Sequence, residues 1–168
     1  MTKNAFVCQM CGSCCTGEGG IVVSRSDRER LSRLLDIPLA VFEQRYTRRK
    51  SQTFYLTTRE DGSCVFFSPE SGCRVHSGKP DICLAWPFFY GNLRDEVSWK
   101  MAQDYCPGID PKVSHEDFMR QGLDYLQAHG LFHRNGGDGA NSLQIEDLLD
   151  SGTEEENCPR NTRNDTKE

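Results

Sequence analysis

The chain has little with which to build an ordinary core. Hydrophobic residues make up 36% of its 168 positions and the mean hydropathy is -0.63. That is lean for a domain whose burial must offset the conformational entropy of every ordered residue. No stretch approaches the 18 apolar residues that would suggest a membrane span. Met1 to Val7 (MTKNAFV) lacks a basic region followed by an apolar one, which predicts a protein that is not exported and stays in the cytoplasm. There is no internal repeat, no G-x-G-x-x-G, no P-loop run and no recognisable catalytic constellation. A broad positive field is missing as well. Of the net charge of -5, residues 138 to 168 hold nine acidic and three basic side chains, a balance of -6, so the remainder carries +1. Nucleic-acid binding rests on clustered Lys and Arg that neutralise phosphates, and this composition predicts none. The one basic run, Arg45, Arg48, Arg49 and Lys50, reads as a solvated helix end.

What the chain has in quantity is cysteine: nine, at positions 8, 11, 14, 15, 64, 73, 83, 106 and 158. In a reducing compartment, closely spaced cysteines are more often metal ligands than disulfides, and an odd total fits disulfides poorly. Ligands scattered along the chain come together only on folding, so a metal would also supply the stability that the core lacks.

Residues 6 to 20 hold four cysteines and four glycines and read as a loop. Ile21 to Val23 is a short β-branched run; Ser24 or Ser26 then caps a helix reaching Leu35, with Asp27 and Glu29 in its first turn and Leu31, Leu34 and Leu35 on its apolar face. Pro38 opens a second helix. Phe54 to Leu56 and Cys64 to Phe67 flank Asp61-Gly62, which predicts a hairpin. The aromatic run Trp86 to Tyr90 looks like a strand that pairs with Val97 to Met101. Ser114, with Asp117 three residues on, caps a last helix ending at Gly130. The expected fold is a small α+β domain over 1–133 and a disordered acidic tail over 134–168. Within that tail Leu143, Ile145, Leu148 and Leu149 alternate with acids, a pattern of either a docking helix or a fraying turn.

Cys8-Gln9-Met10-Cys11-Gly12-Ser13-Cys14-Cys15 carries the chemistry. C-x2-C in a turn lets two thiolates converge on one ion. Three cysteines at successive x2 spacing also match the run that ligates iron-sulfur clusters, whose fourth ligand is distant and precedes proline, as Cys106 precedes Pro107. If the backbone is extended, Cys14 and Cys15 point apart and cannot both reach one ion. With Cys64, Cys73, Cys83 and Cys106 the candidates number eight, which is two sets of four, or one cluster with neighbours. His76, at C-x2-H spacing from Cys73, is a ligand or a hydrogen-bonding neighbour. Joint ligation by His129 and His133 is disfavoured because Gly130 interrupts their helix.

These residues resemble the YkgJ-type cysteine-cluster proteins, a family of zinc- or iron-chelating domains. The resemblance rests on F-x-C-x-x-C-G-x-C-C at Phe6 to Cys15, D-G-x-C-x-F-x at Asp61 to Phe67, C-x6-P-x-x-C at Cys73 to Cys83 followed by W-P-F, and C-P-G at Cys106 to Gly108. Lys79 and Leu84 stand where the family commonly has Arg. The resemblance implies metal binding by Cys8, Cys11, Cys14, Cys15, Cys64, Cys73, Cys83 and Cys106, with zinc or an iron-sulfur cluster, the four-iron four-sulfur type favoured by the x2 run. Cys158 lies outside the matched stretch and reads as a free thiol. The expected function is structural or electron-transferring metal binding. The alternatives are a protein-modifying enzyme, since related motifs occur in flagellin lysine N-methylases, and an adaptor that engages a protein partner through its acidic tail, with neither nucleic acid nor membrane involved.

Overall fold

A computed structural model describes residues 3–16, 20–132 and 138–150, with side chains to 148. His133, Cys158 and the tail from 151 onward lie outside the described residues. Helix α1 (Arg25–Leu34) starts where its cap dictates. The Ser24 hydroxyl accepts from the Asp27 amide while the Asp27 carboxylate accepts from the Ser24 amide, so two otherwise orphaned donors are satisfied reciprocally. Leu31 on its inner face is fully buried, whereas Leu34 is 45% exposed, so the apolar face is narrower than the leucine spacing suggested. Helix α2 (Leu39–Tyr46) follows Pro38, whose fixed φ suits a helix start.

The strands differ from the sequence expectation. Strand β1 (Thr47–Lys50) pairs antiparallel with β2 (Thr53–Leu56), Thr47 opposite Leu56. Ser51 takes a positive φ of 56° in the two-residue turn between them. The basic run therefore does not end a helix: Arg48, Arg49 and Lys50 lie exposed on β1, and only Arg45 is in α2. Ile21 to Val23 flanks the other edge of β2, with Leu56 N donating to Ile21 O (2.8 Å) and Val23 N to Phe54 O (2.9 Å). The turn at Asp61-Gly62 exists, closed by Arg59 N donating to Ser63 O (2.8 Å), but its arms form no regular strands and continue only through a bridge between Thr58 and Cys64 and a bond from Val65 N to Thr57 O (3.2 Å). Beyond it β3 (Phe67–Ser68) pairs with β4 (Gly72–Cys73). These elements close over a core of Val23, Leu31, Phe42, Leu56, Phe66 and Val75, in which the Phe42 and Phe66 rings stack at 6.4 Å.

The second half is helical. After α3 (Asp81–Ala85) come α4 (Tyr90–Arg94), α5 (Glu96–Tyr105) and α6 (His115–Ala128). The expected strand pair over 86 to 101 is absent: α4 and α5 occupy it. Asp95 caps α5, accepting from Ser98 N, and Trp99 and Ala102 recur at helical spacing into the core. Ser114 caps α6 as expected. A helical Gly122 admits the Phe88 and Leu93 side chains so closely that a Cβ there would stand 2.6 Å and 2.7 Å from them. Leu143 and Ile145 are fully buried in this same core, followed by α7 (Glu146–Asp150). Asp147 accepts from Arg94 (3.0 Å) and the Tyr90 hydroxyl (2.9 Å). The apolar stretch over 143 to 148 thus packs against its own chain. The whole is α+β; Cys64, Cys15 and Cys73 belong to the first core and Cys106 to the second.

Candidate metal centre

Four separate segments bring cysteines to one place. Cys14 and Cys15 sit on a single 3-10 turn (Ser13–Cys15), closed by Cys15 N donating to Gly12 O (2.8 Å). The backbone there is not extended, so the two thiols lie side by side instead of pointing apart. Cys64 is tied to this turn by its own amide, which donates to Cys15 O (2.7 Å). Cys73 ends β4, opposite Phe67 on β3. Cys83 is on α3, its amide donating to Pro80 O (2.9 Å). Cys15, Cys64, Cys73 and Cys83, together with Cys8, line a small cavity of about 40 Å³. All eight described cysteines are free thiols.

Each thiol feels its neighbours. Cys15, as hydrogen-bond donor, and more weakly the Lys79 ammonium hold the Cys14 thiol down to about 6. Cys15 is pushed upward in turn, first by that bond, then by burial and by the Cys14, Cys64 and Cys73 sulfurs. Burial raises Cys64 and Cys83, reinforced by the other thiols. A set of thiols that penalise one another's ionisation is one that a soft cation would stabilise. His76 also lines the cavity, but it is exposed, and burial and Lys79 hold its imidazole below its ordinary value. Among the described residues, no three His, Cys, Asp or Glu side chains already stand at the mutual spacing of ligands on one ion. Closure on a metal therefore requires the thiols to turn inward.

The remaining candidates are placed otherwise. Cys11 is exposed and donates to Ser13 Oγ (3.4 Å). Cys106 is buried in the helical core beside Ala102, Ile109 and Val113, and it lines neither this cavity nor the larger one beside it. Its segment is nevertheless held against the N-terminal one, with Val7 N donating to Gly108 O (2.9 Å) and Phe6 bridging Ile109.

Two supports go beyond what the sequence shows. The first is the seat of Gly12. The positive φ that Gly12 allows in this turn is legible in the sequence, but the ring that seats it is not. The φ of Gly12 is +85° and the Phe67 ring presses on its Cα, with a Cβ there only 2.1 Å from Phe67 Cζ. Gly12→Ala should destabilise the protein by about 2–4 kcal/mol, combining a left-handed residue with overpacking, and should lower metal content by displacing the Cys14-Cys15 turn. Thermal unfolding and elemental analysis of the variant check this; an unchanged melting temperature would refute it. The second is a strut from α1. Asp27 Oδ1 accepts from the Asp81 amide (2.9 Å) and from Arg30, whose guanidinium also donates to Lys79 O (3.0 Å), Asp81 Oδ1 (2.8 Å) and Gly78 O (3.3 Å). The segment carrying Lys79 and Cys83 is thereby clamped to α1. Ser24 and Asp27 at the start of α1 were readable in advance, and Arg30 stands three residues on in the same helix, but Asp81 and the Gly78 and Lys79 carbonyls come from a distant segment.

The donor chemistry fits zinc or iron: soft thiolates from several segments around a small space suit both. No helix among the described residues is long and apolar enough to cross a membrane. No curated protein and no solved structure matches the chain. A family model does: CxxCxxCC, "Putative zinc- or iron-chelating domain", matches residues 7–107, a stretch that runs from Val7 to Pro107 and includes all eight of the paired and distal cysteines. The chain therefore belongs to the CxxCxxCC family.

Proposed function

We propose that this protein binds a single zinc or iron ion through Cys15, Cys64, Cys73 and Cys83, and that the ion's main role is structural. The observation that carries this reading is the convergence of those four thiols, from four segments that share no common sheet, on one cavity. Four thiolates close a tetrahedral structural site. A four-iron four-sulfur core, suggested by the x2 run, has eight atoms, whereas about 40 Å³ holds about three water-sized ones. Cys8, which also lines the cavity, and Cys14, hydrogen-bonded to Cys15, are spare thiols able to capture an incoming ion or exchange with an inner ligand.

Protein purified without oxygen should contain about one zinc or iron per chain and no acid-labile sulfide. Cys64→Ser should abolish retention of the ion, and Cys106→Ser should leave the stoichiometry unchanged. Iron accompanied by an equal amount of sulfide would replace the single ion with a cluster. Absence of any metal in the native protein would end the reading.

A further inference from the structure

On the other side of the wall formed by Cys14, Cys15, Cys64 and Cys83 lies a second cavity, of about 270 Å³. That is nearly twice the roughly 150 Å³ that accommodates a benzene ring. Its remaining walls are the rings of Trp86, Phe89 and Tyr105 and the aliphatic side chains of Ile21, Leu56 and Ile82. No Asp, Glu, Lys, Arg or His side chain lines it, so a charged ligand would lose its hydration there without gaining a counter-charge.

The polar groups in the wall are few, and most are engaged. The Thr16 hydroxyl donates to Ser13 O (3.0 Å), the Thr57 hydroxyl to Tyr46 O (3.3 Å), and Ser13 Oγ accepts from Cys11. The Thr58 side chain makes no hydrogen bond among the described residues, and it lines the cavity. An apolar space of this kind, with the Thr58 hydroxyl and the unpartnered Nε1–H of Trp86 among its lining residues, has the anatomy of a small-molecule site, in which shape supplies affinity and a few polar groups fix orientation. Tyr105, 65% exposed, stands at its margin and leaves it open to solvent.

We propose that this cavity binds an uncharged, flat ligand of about two fused rings that carries one hydrogen-bond acceptor directed at Thr58. The ring system lies against Trp86, Phe89 and Ile82, and one edge meets the sulfur wall. The ligand does not coordinate the metal: it packs on the outer side of Cys15, Cys64 and Cys83, where it favours the inward rotamers that the ion requires. This site rests on the metal reading only for that last coupling; the cavity itself is built by the aromatic and aliphatic walls.

The test uses the full-length protein as purified, its metal content measured on the same sample, with 1-indanone as probe and indane as the same shape without an acceptor. Binding is followed by amide and indole shifts in ¹H–¹⁵N spectra. Saturable binding of 1-indanone is expected with a Kd at or below about 1 mM, an affinity within reach of a ligand of about ten heavy atoms in a preformed pocket, with shifts centred on Thr57, Thr58 and Trp86. Indane should bind about threefold to tenfold more weakly, the worth of one hydrogen bond, and Thr58→Val should erase that difference. Ile82→Trp, which fills the space, should weaken both by at least about tenfold. No saturation, shifts centred elsewhere, or full affinity in Ile82→Trp would overturn the site, and equal affinity of the two probes for the native chain would overturn the role of Thr58. Tyr105→Ala, at an exposed position where folding is not at stake, should still weaken binding through loss of one ring wall. A sample without metal that still binds 1-indanone would sink the metal reading and leave the cavity standing.

Discussion

Removing the metal with a strong chelator should unfold one half of the molecule and leave the other folded. The half around Val23, Leu31, Phe42, Leu56, Phe66 and Val75 includes three of the four proposed ligands, and its regular structure amounts to two short helices and two two-stranded ribbons. A two-stranded hairpin is marginal in water without further packing. Structural zinc contributes about 10–16 kcal/mol apparent free energy in small domains, comparable to the entire stability of most proteins at about 5–15 kcal/mol. The helical half, built on Phe88, Leu93, Trp99, Phe118, Leu126, Leu143 and Ile145, has a larger apolar core and no proposed ligand within it. Hydrogen exchange separates the halves. The amides of Cys64, Val65 and Arg74, bonded to Cys15 O, Thr57 O and Phe66 O, should lose protection on chelation, while those within α6 should keep most of theirs. Simultaneous loss everywhere would mean that the halves form one cooperative unit, and no loss anywhere would mean that the metal is not structural.

The second large effect is expected at Asp27, which no thiol touches. Its carboxylate is 2% exposed as a residue and takes donors on both oxygens: Ser24 N (2.9 Å) and Ser24 Oγ (2.8 Å) on Oδ2, the Asp81 amide and Arg30 on Oδ1. Burial, with Asp81 beside it, raises its titration above the ordinary carboxylate value, so the charge is tolerated there because the donors hold it. Asp27→Ala should cost about 3 kcal/mol, at the lower end for a broken buried pair because Arg30 keeps part of its hydration. Asp27→Asn should rescue little. Whichever way the amide turns, its NH2 faces a backbone N–H of Ser24 or Asp81. Both variants should bind zinc more weakly than the native chain, because Cys83 loses its anchor to α1. Competition with a chromophoric chelator measures this directly. Native zinc affinity in a folded Asp27→Ala variant would show that the strut serves stability alone.

The parts of this fold that were legible in sequence are those in which local chemistry decides. Ser24 and Asp27, Pro38, and Ser114 before α6 each mark a helix start through a cap that needs nothing distant. The errors came where partners are chosen at long range. Phe54 to Leu56 had two possible partners, and the two-residue turn at Ser51-Gln52 won over the longer one at Asp61-Gly62, which placed three cations on a strand. The aromatic run from Trp86 suggested a strand by composition, although Asp95 before Glu96 and the spacing of Trp99, Ala102 and Cys106 already marked a helix. The apolar residues of 143 to 148 are too few to form a helix alone, and the surface offered by α3 and α4 gives them somewhere to go. For the site, the eight thiols were visible, but their grouping was not. Spacing cannot show that Cys14 and Cys15 share a tight turn, or that Cys106 belongs to a different core from Cys64.

The order of the proposed ligands along the chain has a temporal meaning. Residues 15, 64, 73 and 83 all precede α4, α5 and α6. On a ribosome, where the N-terminal part of a chain emerges first, the last ligand emerges before the helical half does. The nascent chain can therefore take its ion while Trp99, Phe118 and Leu126 are still to come, and those residues are then laid against a partner that is already closed. If the four proposed cysteines are the ligands, metal supply while the chain is emerging is what sets whether the helical half docks on a closed partner.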